Sequence, residues 1–162
     1  MNRSKRRMKK GHCQMCGQEY LLVDDDLVLV HEVHVPGWLE GYCAGSNAAP
    51  MEKRHGITDF AVADMLQNCE RLRGKIDDLR NALIHPATVA LPDTEAKGRT
   101  RHLRWEDLSE QQQDDAVRLE IVRLEKQVAG GEKFARDIKA RAASVHGLPL
   151  MDADRSEQAQ TA

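Results

Sequence analysis

Three of the four cysteines lie near the start of the chain, in a segment that also contains two closely spaced histidines. Cys13 and Cys16 are separated by two residues, and a turn of this form can present two thiolates to one metal ion. Cys43 supplies a third thiolate, and either His31 or His34 supplies an imidazole. Because structural zinc takes four such ligands in a tetrahedron, the segment predicts one structural Zn²⁺ per chain.

The spacing alone does not decide which histidine binds the metal. Side chains alternate between the two faces of a strand, so His31 and His34 would point in opposite directions if one strand contained both. Only one should reach the metal, and His12 is a further candidate. The alternative to a metal site is free thiols or a redox pair at Cys13 and Cys16, but no βαβ pattern of the thioredoxin type surrounds them.

The predicted ligands lie in a segment, residues 11–54, that is rich in strand and turn signals. The β-prone runs at 20–23 and 27–30 are separated by three aspartates, which predicts a β-hairpin. A segment of about 40 residues buries too little apolar area to fold alone. Zinc binding can contribute about 10 kcal/mol to such folding. We therefore expect a zinc-binding head over residues 11–54.

Two long stretches of helical periodicity follow the head. Between Val62 and Leu83, and again between Val117 and Ala142, apolar or small residues recur at alternating spacings of three and four. This spacing is typical of the apolar seam of a coiled coil. Cys69 occupies one position of the first seam, where we expect it to pack as a small apolar residue and not to bind the metal.

The second helix should begin near Ser109, because Ser109 and Gln112 have the spacing of a capping box. Two long helices joined by a proline-containing connection most simply pair in antiparallel fashion. We therefore expect a mainly α fold, namely a long, coiled-coil-like antiparallel helical hairpin over residues 55–146 with its connection at 85–107. The small β-hairpin zinc-knuckle head would precede it.

The charge of the chain is unevenly distributed. The formal net charge is −2, but residues 1–10 are strongly basic and a second basic cluster lies in the connection. We expect residues 1–10 to be a disordered arm and residues 147–162 a disordered tail. The basic clusters could neutralise phosphates, with Trp105 as a stacking surface beside the second. The nucleic-acid-binding candidates are Arg3, Lys5, Arg6, Arg7, Lys97, Arg99, Arg101 and Arg104.

The sequence contains no stretch that approaches the roughly 20 consecutive apolar residues of a membrane-spanning helix. Its basic start is followed by cysteine and glutamine and not by the apolar core of a signal peptide. We therefore expect a cytoplasmic protein with no membrane partner. In a reducing compartment, closely spaced cysteines bind metal more often than they form disulfides.

Four short sequence motifs in the head resemble those of a known family. They are CQMCG at 13–17, HEVHVPGW at 31–38, GYCAG at 41–45 and Pro-Met-Glu at 50–52. Together they resemble a family of small, uncharacterised zinc-knuckle proteins of phages and prophages, in which long helices follow the knuckle. These motifs lie only in the head. In the rest of the chain, the resemblance is limited to the expected arrangement of long helices.

The resemblance implies that His31, which lies five residues before Pro36, is the histidine ligand, with His34 in reserve. This chain departs from the family in two places. Val35 stands where a basic residue is usual, and His34 is an added histidine. The family implies a bacterial host cell as the location but brings no established activity.

Three classes of function fit these observations. We favour a non-enzymatic adaptor, in which zinc fixes the head and the helices bind a protein partner or a second copy of the chain. The alternative is a nucleic-acid-binding accessory or regulatory protein that uses the basic arm and the basic loop, although the acidic head would repel phosphate. An HNH-like nuclease would use a histidine base and Asn47. Many such enzymes carry a second Cys pair after the asparagine, whereas Cys43 stands alone before it and is already needed for zinc.

Overall fold

The computed structural model describes residues 8–23, 26–92 and 100–153. A short 3₁₀ turn, Trp105–Asp107, precedes the second helix. In chain order the other elements are β1 (Lys9–His12), β2 (Glu19–Val23), β3 (Leu27–Val28), β4 (Glu32–Val35), β5 (Leu39–Tyr42), α1 (Gly56–Arg80), β6 (Thr88–Pro92), β7 (Thr100–Arg104), α2 (Glu110–Val145) and β8 (Met151–Asp152).

The fold is mixed α/β, so the prediction of a mainly α protein built on a long antiparallel helical hairpin is wrong. Helical residues account for 47% and strand residues for 22% of the described structure. The connection predicted at 85–107 contains the antiparallel pair β6 and β7. The β-branched and leucine residues of this connection are typical of strands. They are few, however, and the sequence-based prediction followed the long helical periodicities on either side of them.

The chain divides into two compact units. Unit 1 comprises Met1–Gln67 and Gly131–Ala162, and unit 2 comprises Asn68–Gly130. Each unit therefore contains one part of α1 and one part of α2. These boundaries differ from the predicted division into a head over 11–54 and helices over 55–146.

A four-stranded antiparallel sheet in unit 1 has the strand order β3-β2-β1-β8. Strands β2 and β3 follow the two β-prone runs of the sequence, whereas β1 and β8 include residues of the predicted disordered arm and tail. Lys10 pairs with Leu21 of β2 on one side and with Met151 of β8 on the other. Strands β4 and β5 form a separate hairpin. The remaining arm, 1–7, and the remaining tail, 154–162, lie outside the described residues.

Two apolar clusters form much of the core among the described residues of unit 1. One surrounds the three cysteines of the predicted metal site and includes Leu22 and Val28. The other joins Met51 to Ile138, Ala142 and Val145 on the last turns of α2. Small side chains such as that of Ala142 allow the chain around Met51 to approach α2 closely.

In unit 2, the predicted helical seams supply most of the described buried residues, and Leu108 and Ala116 are buried outside them. Cys69, Ile76 and Leu79 of α1 are buried, as are Leu124 and Val128 of α2. The thiol of Cys69 donates a hydrogen bond to the carbonyl oxygen of Val128 at 3.7 Å. The prediction that Cys69 packs in the core is therefore confirmed.

The start of α2 has the predicted capping box. The backbone amide of Gln112 donates to Oγ of Ser109 at 3.4 Å, and the amide of Ser109 donates to Oε1 of Gln112 at 2.9 Å. Helix α1 ends at Arg80, so Leu83, the last residue of the predicted first seam, lies beyond the helix and is exposed.

Candidate metal centre

Four side chains of unit 1 converge at one point. They are the thiols of Cys13, Cys16 and Cys43 and the imidazole of His31, and their ligand atoms all lie within 4.8 Å of one another. The sulfurs of Cys13 and Cys43 are 3.6 Å apart, and Nε2 of His31 lies 3.4 Å from the sulfur of Cys16. A tetrahedron with metal–sulfur bonds of about 2.3 Å has edges of similar length. The group can therefore hold one metal ion.

The turn between β1 and β2 presents the first two thiols. The backbone amide of Met15 donates to the sulfur of Cys13 at 3.3 Å, and the amide of Gly17 donates to the carbonyl oxygen of Cys13 at 2.9 Å. Gly17 has a φ of 72°, a conformation that glycine adopts without strain. Amides directed at a sulfur stabilise its thiolate form, which is the form that binds metal.

A second turn, at residues 43–46, presents Cys43. The amide of Ser46 donates to the carbonyl oxygen of Cys43 at 3.0 Å, and the amide of Gly45 donates to its sulfur. A Cβ atom on Gly45 would overlap the sulfur of Cys13 and also press on Met15. Cys43 and Ser46 have the same spacing as Cys13 and Cys16, and this repeated spacing was the available signal for a second turn.

The ring of His31 is held so that one nitrogen faces the thiols. Nδ1 lies 2.8 Å from the carbonyl oxygen of Leu29, which can only accept, so Nδ1 carries the proton and Nε2 carries the lone pair. The backbone amide of His31 donates to Oγ of Ser46 at 3.2 Å. The ring of Tyr20 stacks on that of His31 with centroids 3.8 Å apart. Such outer contacts typically fix the orientation and tautomer of a metal-binding histidine.

The other two candidate histidines, His34 and His12, lie outside the group of converging ligands. His34 is on β4 with its side chain 72% exposed, and its Nδ1 is 3.9 Å from Oε1 of Glu40. Nδ1 of His12 lies 2.6 Å from a carboxylate oxygen of Glu52, which also accepts from the backbone amide of His12. Neither histidine belongs to the group of converging ligands.

The three thiols differ in acidity. A hydrogen bond from Cys16 lowers the pKa of Cys13, and the same bond raises the pKa of Cys16. Burial raises the pKa of Cys43. Cys13 is therefore the thiol that ionises most readily, and binding of a metal ion by the three thiolates displaces the thiol protons. Metal affinity should accordingly rise with pH.

Buried polar side chains connect the first turn to the start of α1. Gln14 donates from Nε2 to the carbonyl oxygen of Ala49 at 2.6 Å, and its Oε1 accepts from the amide of Ile57 at 3.1 Å. The hydroxyl of Thr58 donates to the carbonyl oxygen of Gln14 at 2.6 Å. The side chain of Gln14 thus satisfies one of the amides that a helix start leaves without an intrahelical partner. The same turn that presents two ligands also caps α1.

The described candidates for nucleic-acid binding are partly engaged within the chain. Nε of Arg104 donates to Asp107 at 3.0 Å, and this bond raises the pKa of Arg104. The ring of Trp105 stacks on that of His85 with centroids 4.6 Å apart. Arg101 lies exposed on β7. The other candidates, Arg3, Lys5, Arg6, Arg7, Lys97 and Arg99, lie outside the described residues.

Comparison of the chain with protein-family models, with curated proteins and with solved structures finds no match. Among the described residues, neither long helix has a stretch apolar enough to cross a membrane.

Proposed function

We propose that the chain is a non-enzymatic, zinc-stabilised adaptor that acts through contacts with another protein. The observation that carries this proposal is the convergence of three thiols and one imidazole in unit 1. Thiolate ligands in a tetrahedral arrangement favour zinc over harder cations such as magnesium or calcium. Zn²⁺ is accordingly the ion that we propose for the site, with Cys13, Cys16, His31 and Cys43 as its ligands.

The completeness of the ligand set supports a structural role for the ion. Catalytic zinc usually has three protein ligands and keeps its fourth position for water or substrate, whereas structural zinc has four protein ligands. Here the chain itself supplies four, and the three thiols are buried. A bound zinc ion would therefore stabilise the turns and α1 and would not activate a substrate.

The hydrogen bonding of His31 also argues against catalysis at this site. Its Nδ1 donates to the carbonyl oxygen of Leu29, and its Nε2 faces Cys16 and the proposed ion. A general base needs a ring nitrogen that can take a proton from the substrate or from water. His31 offers none once the ion is bound, which weakens the hypothesis of an HNH-like nuclease.

Exposed aromatic residues offer a surface for a protein partner. The side chain of Phe60 on α1 is 74% exposed, and Tyr42 at the end of β5 is also exposed. Aromatic side chains are enriched in protein interfaces because they bury a large apolar area with few rotatable bonds. We place the partner contact at Phe60. The resemblance to phage and prophage proteins leads us to propose a bacterial cytoplasm as its location.

The metal proposal is tested by elemental analysis of the full chain purified without chelator, together with its mass under native conditions. We expect one zinc per chain, and the mass distinguishes a monomer from the dimer that the helices could form. Absence of zinc in this preparation would contradict the proposal and would favour redox chemistry at Cys13 and Cys16.

The adaptor proposal is tested with a photo-crosslinking phenylalanine analogue at Phe60 in cells that produce the full chain. We expect a discrete adduct with one protein, and none from the same analogue at Leu148, a second exposed apolar position in unit 1. Identical patterns at both positions, or no adduct at Phe60, would contradict this contact. Binding of DNA that weakens steeply with salt would favour the nucleic-acid alternative.

A further inference from the structure

Two further histidines of unit 1 lie side by side, apart from the Cys3His group. His55 immediately precedes α1 and His146 immediately follows α2. Their ring centroids are 4.6 Å apart and their planes are nearly perpendicular, at 89°. Neither residue has a role in the site described above.

The hydrogen bonds of both rings fix the same tautomer. Nδ1 of His55 lies 2.7 Å from a carboxylate oxygen of Asp59, and Nδ1 of His146 lies 3.2 Å from the carbonyl oxygen of Met51. Both partners accept, so Nδ1 donates in each ring, and in the neutral ring Nε2 carries the lone pair. Metal-binding histidines almost always donate their second ring nitrogen to a carboxylate or a backbone carbonyl in this way.

The separation of the rings suits a shared ion. Two imidazoles bound through Nε2 at about 2.1 Å, with a ligand–metal–ligand angle between about 90° and 110°, have ring centres about 4.6 to 5.2 Å apart. The observed 4.6 Å lies at the lower end of this range. Perpendicular planes also keep the two rings from colliding near the ion.

We propose that His55 and His146 form a second metal site, which binds a transition-metal dication that prefers imidazole, such as Ni²⁺, Cu²⁺ or Zn²⁺. Asp59 is a positioning residue that orients His55 and adds negative charge nearby. The side chain of His55 is 42% exposed, so water completes the coordination of the ion. Binding here should be weaker and more readily reversed than at the buried Cys3His group.

Ni²⁺ is the suitable probe because elemental analysis distinguishes it from zinc already bound by the cysteines. The zinc-loaded full chain is dialysed to equilibrium against increasing Ni²⁺, and both metals are then measured. We expect one Ni²⁺ per chain in addition to the retained zinc. His55→Gln and His146→Gln should each weaken Ni²⁺ binding at least tenfold, and Asp59→Asn about tenfold through loss of the outer contact.

The matched control is His34→Gln, since His34 is an exposed histidine that pairs with a carboxylate but, in the part of unit 1 that the structure describes, does not belong to the pair of adjacent histidine rings. It should leave Ni²⁺ binding unchanged. Zinc content and circular dichroism show whether each variant is folded. The proposal is overturned if the wild-type chain binds no Ni²⁺ saturably, if Ni²⁺ only displaces zinc, or if binding survives in both histidine variants. Ni²⁺ should also raise the Tm of the wild-type chain but not that of His146→Gln.

Discussion

The two units depend on different kinds of interaction for their stability. Unit 1 has short strands and a group of buried thiols that a bound ion would hold together, with Gln14 and Glu52 among its few buried polar side chains. Unit 2 has an apolar seam between two helical segments, exemplified by Leu124 and Leu79. Loss of a single ligand atom should therefore reduce the stability of unit 1 far more than loss of a single atom reduces the stability of unit 2. In unit 2 the free energy of packing is distributed over many contacts.

The largest difference between the units should appear when one cysteine of each is changed. Cys43→Ser removes a proposed ligand, because a serine hydroxyl binds zinc poorly, and should abolish metal binding and unfold unit 1. A structural zinc site contributes about 10 kcal/mol or more to folding, so the loss should exceed that of any change in unit 2. Zinc content and urea unfolding followed by circular dichroism measure both effects.

The control for this change is Cys69→Ala. Cys69 is completely buried in the seam, and removing its sulfur should cost about 1–2 kcal/mol while zinc content stays the same. If Cys43→Ser retained its metal and its stability, or if Cys69→Ala lost its metal, the contrast between the two units would not hold.

A large apolar residue of the seam should give the next largest effect. Leu124 is 1% exposed, and Leu124→Ala should destabilise unit 2 by about 2–4 kcal/mol through lost burial and the resulting cavity. Urea unfolding gives the difference, and zinc content should not change. Leu119→Ala on the exposed side of α2 should cost much less. Equal costs for the two leucines would mean that the seam is not the source of stability.

Gln14→Ala tests whether the hydrogen bonds that surround the metal site can be removed without loss of the metal ion. The substitution removes the hydrogen bonds to Ala49 and to the amide of Ile57, and should cost about 1–2 kcal/mol. The thiols are unchanged, so one metal ion per chain should remain. Thermal unfolding measures the cost, with Gln111→Ala on the exposed surface of α2 as the control. Loss of metal in Gln14→Ala would mean that this side chain determines the geometry of the ligands themselves.

Local chemical signals predicted the parts of the molecule that depend on a few neighbouring residues. The spacing of Cys13 and Cys16 indicated a metal site, and the spacing of Ser109 and Gln112 located the start of α2. The helical seams indicated which faces are buried, because helix periodicity does not depend on distant partners.

The remaining features depend on contacts between residues that are far apart in the sequence. Lys9–His12 contains three basic or potentially basic residues and becomes a strand only because β2 and β8 pair with it. The choice between His31 and His34 could not be made by strand alternation, since β3 ends at Val28 and β4 begins at Glu32, after His31. The requirement for glycine at Gly45 arises from its contact with Cys13, which no local pattern reveals.

The smallest effect should come from the exposed ion pairs of unit 2, and it should depend on pH. Hydrogen bonds from Arg123 lower the pKa of Glu120 below its ordinary value of 4.5, and Lys75 adds to this. The folded state therefore favours the carboxylate, which contributes stability above the unfolded pKa and loses it as pH falls through the folded pKa. Glu120→Gln should cost at most about 1 kcal/mol near neutral pH, with the difference from wild type shrinking in acid.

Urea unfolding of both proteins at a series of pH values measures this dependence. Glu125→Gln is the matched variant, because Glu125 pairs with Arg80 but is more exposed than Glu120 and should contribute less. A difference that grew as the pH fell would contradict the assigned direction of the pKa shift. If Glu120→Gln destabilised the protein as much as Leu124→Ala, the proposed difference between the two units would be wrong. Unit 2 would then depend on individual charged groups, as unit 1 depends on individual thiols.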